Sequence, residues 1–193
     1  MKRTMIAAAF AAALPVAVLA QDAPESGTYV FDSDHAQALF SWSHMGFSTS
    51  YGMVNGIEGQ VVLDAENPEN STVEARFPAV SMQTVSPGLD EHLKSEDFFN
   101  GDGGEVTFVS TGVEPGEGNL ARVSGDLTLN GQTQPVVLDV VLNHSGENPM
   151  AQKPAVGFTG TTVIKRSDFG LGAFVPAVSD EVQVTLNIEA MKE

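Results

Sequence analysis

Three histidines, His35, His44 and His92, and one arginine, Arg166, are the side chains of this sequence best suited to chemistry. Imidazoles ligate metals and move protons, and a guanidinium fork holds anionic or carbonyl oxygens. The histidines show no i,i+4 pairing and no acidic cluster stands at ligand spacing, so the pattern does not build a metal site. Serine, histidine and aspartate are scattered. There is no Gly-x-Ser-x-Gly elbow and no glycine-rich phosphate loop, which makes a hydrolase the weaker alternative. With no cysteine there is no disulfide, thiolate nucleophile or zinc–sulfur centre. No catalytic residue and no cofactor is implied, which leaves recognition.

The recognition residues fall on legible elements. Ala36, Ala38, Phe40, Trp42 and His44 share one parity, and a strand places alternate residues on one face. His44 is therefore aimed at the core side with Phe40 and Trp42. There it is either a core imidazole bonded to a backbone carbonyl or a contact to a ligand. Arg166 follows Lys165 where a strand meets a loop. It either pairs with Asp168 or another acid, or meets the polar end of a ligand.

Residues 90–99 (DEHLKSEDFF) carry the one convincing helical pattern. Ser86 suits the N-cap, Pro87 the first helical position, and Asn100-Gly101 the stop, for a helix of about ten residues. Leu89, His92, Leu93 and Phe99 form one stripe, and Lys94 can pair back to Asp90. So short a helix is marginal alone and must pack on something. With strands before and after it, it reads as a lid on a β-structure, anchored by Phe98 and Phe99, with His92 beside Leu89 and Leu93.

The rest is strand-like: residues 29–31 start the first strand, and residues 36–44, 61–63, 73–82, 106–111, 120–129, 133–143, 155–164 and 180–188 alternate between turn signals. Asn130-Gly131 is a strong hairpin signal. Eight or nine strands with one mid-chain helix predict an all-β, antiparallel, eight-stranded barrel with a short lid. Small residues at Ala75, Gly125, Ala155 and Gly157 would leave room for an elongated apolar cavity.

Lys2 and Arg3, an apolar run over residues 5–19 and Val18-Leu19-Ala20 read as a cleaved signal peptide of residues 1–20. The run contains Pro15 and is short for a membrane span. Residues 21–193 then form one exported, soluble domain. The formal charge is −16, or −18 once Lys2 and Arg3 leave, a balance that either repels nucleic acid and anionic membranes or marks a salt-adapted surface with no message about partners.

His35, Phe40, His44-Met-Gly46, Gly52, Ser81-Met-Gln-Thr84, residues 90–99, Val106-Thr-Phe108, residues 125–131 (GDLTLNG) and Arg166-Ser-Asp-Phe-Gly170 follow one another as in the YceI-like family, which this chain resembles over about residues 28–190. It departs at Ala36, where Ser is common, and at Gly103-Gly-Glu105, where Tyr-Pro is common. The resemblance implies a lipocalin-like barrel in the periplasm that binds polyisoprenoids and other long-chain lipids. The expectation is a binding or carrier protein for a polyisoprenoid, quinone or fatty amide, contacted by Phe40, Trp42, His44, His92, Phe98, Phe99 and Arg166. It would need no cofactor beyond the bound lipid, no nucleic acid and no stable membrane insertion, and a homodimer is compatible with it. The alternative is a stress-related structural or partner-binding protein with a filled core, which an absent cavity would favour.

Overall fold

Period-two alternation governs most of the computed structural model, which describes residues 23–193. The signal-peptide reading lies outside the described residues. The strands are β1 (Gly27–Phe31), β2 (Gln37–His44), β3 (Ser48–Asn55), β4 (Glu58–Leu63), β5 (Thr72–Pro78), β6 (Gln83–Thr84), β7 (Glu105–Pro115), β8 (Leu120–Leu129), β9 (Gln132–Asn148), β10 (Lys153–Lys165) and β11 (Glu181–Lys192). One α-helix, α1 (Pro87–Leu93), stands between β6 and β7.

Eleven strands make a closed barrel of eight staves, because three staves are interrupted. β11 pairs with β2 through Gln183–Asn187 and with β1 through Ala190–Lys192, so β1 and β2 are one stave bent at residues 32–36. β3 pairs with β2 and β4 with β1, which makes β3 and β4 a second bent stave. β5 pairs with β4 and the two residues of β6 pair with β3, completing the third. From β5 the order runs β7, β8, β9, β10, β11, all antiparallel. Closure leaves few unpaired edges, which suits a chain without disulfides. The β8–β9 hairpin turns at Asn130 and Gly131, both at positive φ (51° and 69°), the geometry the Asn-Gly pair favours.

The helix is shorter than its sequence pattern. It ends at Leu93, and residues 95–102 fold into hydrogen-bonded turns: Phe99 N–H donates to Leu93 O at 3.0 Å and Gly101 N–H to Lys94 O at 2.8 Å. Ser86 stands at the N-cap without a side-chain capping bond. Lys94 pairs with Glu91 at 2.7 Å rather than with Asp90, whose Oδ1 instead accepts from Thr84 N–H and Thr84 Oγ1–H, both at 2.7 Å. The acid predicted to support the helix thus ties the lid to β6. Phe98 and Phe99 pack on a buried group of Ala79, Val106, Leu129, Phe169 and Leu171 that closes around one end of the barrel.

Candidate functional site

A cavity of about 1240 Å³ runs inside the barrel, from the lid to the turns at the opposite end that hold Pro68 and Gly116. Its walls come from the inward parity of the staves: Phe31, Ala38, Val73, Phe108, Leu138 and Leu186 are representative. Among the described residues, Asp64 and Arg166 are the only Asp, Glu, Lys or Arg on its walls. Only one of the four small residues expected to open the cavity does so. Ala75 lines the space, whereas Ala155 and Gly157 do not, and a Cβ at Gly125 would come to 2.4 Å from Phe108 Cζ. Gly125 therefore makes room for a neighbouring ring and not for a ligand.

All seven residues singled out from the sequence line this cavity. Phe40 and Trp42 are stacked at the wall, with ring centroids 5.9 Å apart and 19° between planes. His44 ends β2 at the mouth, bridged to Val178 and paired with Ser48. It is exposed, and its imidazole makes no hydrogen bond among the described residues, so it is not a core imidazole held by a carbonyl. A strand that ends at the barrel rim carries its last inward side chain into the opening.

His92 meets Phe98 edge-on at 5.2 Å and Phe174 at 5.8 Å, and Phe98 lies 6.2 Å from Phe174. The nearest acid to His92 is Asp97, at 3.7 Å. Three aromatic rings thus join the lid to the loop of residues 171–180 across the mouth. Phe174 was not among the residues picked from the sequence. The available signal was a lone aromatic between Gly172 and Pro176, in a run without charges.

Arg166 holds that loop. Only 8% exposed, it donates from Nε to Ser179 O (2.9 Å), from Nη1 to Ala173 O (2.8 Å) and Leu171 O, and from Nη2 to Val178 O (2.9 Å). The expected salt bridge, to Asp168 or another acid, is not made among the described residues. Asp180 supplies the nearby negative charge, and its carboxylate accepts from Ser167 N–H and Ser167 Oγ–H. Burial pushes the Arg166 pKa down and Asp180 opposes it, while the bond from Ser167 chiefly holds Asp180 below the usual carboxylate range. Four of the five guanidinium N–H groups are engaged by the protein itself. The arrangement can enclose a long apolar molecule and offer its polar end a few hydrogen bonds.

The fold and cavity define a lipocalin-like barrel with a lidded apolar interior. Residues 29–190 match the YceI-like domain, and the chain belongs to that family. A UPF0312 protein of Ectopseudomonas mendocina (strain ymp) is 37% identical over 160 residues, covering 82% of this chain and 83% of the relative. Another, from Pseudomonas fluorescens, is 35% identical over 200 residues, covering 100% and 98%. Among solved structures, Burkholderia cenocepacia BcnA aligns with a TM-score of 0.70 at 23% identity, over 80% of this chain and 96% of its own. A polyisoprenoid binding domain from Saccharophagus degradans, implicated in plant cell wall breakdown, aligns with a TM-score of 0.62 at 16% identity, over 86% and 98%. These likenesses establish the fold.

Proposed function

We propose that this protein is a periplasmic binding protein that holds one long-chain apolar lipid, a polyisoprenoid, quinone or fatty amide, along the axis of the barrel. The observation that carries the reading is the barrel-length cavity: at about 1240 Å³ it exceeds the roughly 300–1,000 Å³ of ordinary small-molecule pockets, and its walls are overwhelmingly apolar. A filled-core structural protein would lack that space. Burial of each methylene contributes about 0.8 kcal/mol, so chain length alone can supply tight binding. The polyisoprenoid-binding neighbour and the family's general periplasmic setting support the same reading.

The polar end is placed at the mouth, where His44 and Ser50 stand beside Trp42. An uncharged head, such as a quinone carbonyl or an amide, suits these groups. Lys94 is paired with Glu91 and Arg166 is spent on backbone carbonyls, so a pyrophosphate would find few partners. Phe40, Trp42, His44, His92, Phe98 and Phe99 act as contacts, Arg166 holds the loop at the mouth, and none is a catalyst. Native mass spectrometry of protein purified from its own periplasm, followed by solvent extraction, tests this. The expected result is a single extractable lipid per chain. Protein that stays empty, and takes up neither a prenol nor a quinone added in solution, overturns it.

A further inference from the structure

Among the stretches of this acid-rich chain that carry no Asp, Glu, Lys or Arg are residues 41–57, 77–89 and 169–179. They are far apart in sequence, and the fold brings all three to the lid end of the barrel. The first forms the β2–β3 hairpin, the second leads from β5 through β6 into α1, and the third is the loop clamped by Arg166. They are joined there: Met45 N–H donates to Ala177 O at 2.8 Å, and Gly52 pairs with Thr84. The result is an uncharged arc on the rim of the cavity mouth, next to a lid whose Asp90, Glu91, Lys94, Glu96 and Asp97 carry charge, on a chain of formal charge −16.

The arc also presents apolar side chains to solvent. Phe47 is 91% exposed, Val85 89%, Met45 55% and Phe174 54%. Phe47 sits at the tip of a three-residue turn in which Met45 and Gly46 both have positive φ, so the ring projects from the hairpin with nothing packed against it. Packing does not explain such exposure at several neighbouring loop tips, and contiguous exposed apolar surface marks an interaction site.

We propose that this arc is a membrane-docking surface that seats the cavity mouth on a zwitterionic lipid bilayer. The inference rests on the lipid-binding reading and adds where the lipid is exchanged. Projecting apolar and aromatic tips suit a fluid interface, which needs no complementary shape, and the headgroup boundary favours aromatic rings while penalising charge. The acidic remainder of the surface opposes an anionic leaflet and selects a neutral one. Continuity of the arc with the cavity lets a chain pass from bilayer to barrel without crossing water, since Met45 and Phe174 belong to both. The outer face of β2 and β3 continues the apolar surface through Leu39, Tyr51 and Met53, and this flatter patch is where a second copy would bind instead.

The test is co-flotation of the purified protein with phosphatidylcholine vesicles, with and without added phosphatidylglycerol. A Phe47→Asp/Val85→Asp variant is run alongside; both side chains lie in solvent, so the fold tolerates the change. Wild-type protein should float with phosphatidylcholine, less so with the anionic lipid, and the variant's partitioning should fall by about tenfold or more. A variant that floats like wild type overturns the proposal, as do wild-type protein that prefers anionic vesicles or does not float. So does a wild-type dimer in sedimentation velocity that this variant dissociates. Prenol uptake from detergent-free solution is measured in parallel. Its loss in wild type would sink the lipid-binding reading, whereas normal uptake without flotation would sink docking alone.

Discussion

The ring of Phe40 fills the space that any side chain on Gly52 would need. The two are cross-strand partners on β2 and β3, and a Cβ at 52 would lie 2.3 Å from Phe40 Cζ. The glycine lets Phe40 lie flat against the wall and stack on Trp42, the single tryptophan of the chain. Gly52→Ala should therefore destabilise the fold by about 1–3 kcal/mol through overpacking. It should also shift Trp42 emission. An unchanged Tm and spectrum would show that Phe40 has other room.

Arg166 should matter for stability more than for contact with the lipid. Arg166→Ala removes a buried cation from four carbonyls and should cost on the order of 3 kcal/mol. Arg166→Lys restores charge but not the fork and should recover only part of it. Hydrogen exchange is the local readout: residues 171–180 should lose protection in both variants. The lipid off-rate should rise as well, because Phe174 no longer braces His92 and Phe98 across the mouth. Protection equal to wild type would refute the clamp.

The lumen can be blocked from Ala75, which faces the cavity from β5. Ala75→Trp should abolish or shorten the range of prenyl chain lengths accepted, at a stability cost of up to about 3 kcal/mol. Quenching of Trp42 by a bound quinone provides the binding signal in wild type, and radiolabelled prenol serves for the variant. A folded variant that accepts the same chains would argue for an external site.

Head-group preference follows from the charges at the mouth. An uncharged quinone or amide lipid should outcompete a prenyl pyrophosphate of equal length, at low and at high salt. His44→Ala should weaken the neutral lipid by about 1–3 kcal/mol if its imidazole donates the head-group bond. A pyrophosphate lipid that wins under both conditions would reverse the assignment.

A pH dependence is expected outside the site, at the bend between β1 and β2. The His35 imidazole lies 2.9 Å from Asp32, and this hydrogen bond raises the His35 pKa and lowers that of Asp32. The pair contributes fully between the ordinary carboxylate and imidazole pKa values, about 3.9 and 6.5. Its contribution is lost as pH falls through the lowered Asp32 pKa or rises through the raised His35 pKa. An NMR titration should place the His35 midpoint above 6.5, and Asp32→Asn should bring it back down.

Strand parity is local, and so it was readable in the sequence: Phe40, Trp42 and His44 share a face because a strand has period two, whatever surrounds it. The Asn130-Gly131 turn is local for the same reason. The extent of α1 was not, since the pattern over residues 90–99 fits a longer helix, whereas the helix ends at Leu93 and Phe98 and Phe99 pack on the buried cluster that holds Phe169 and Leu171. Nor was the role of Arg166, because the carbonyls that engage it belong to a loop whose path depends on barrel closure. Gly125 shows the same limit: a small residue signals space, but which neighbour takes the space is decided by cross-strand register. The cavity is likewise tertiary. Inward apolar residues were predictable one strand at a time, whereas the gap between them is set by stave number and tilt, which no single segment encodes.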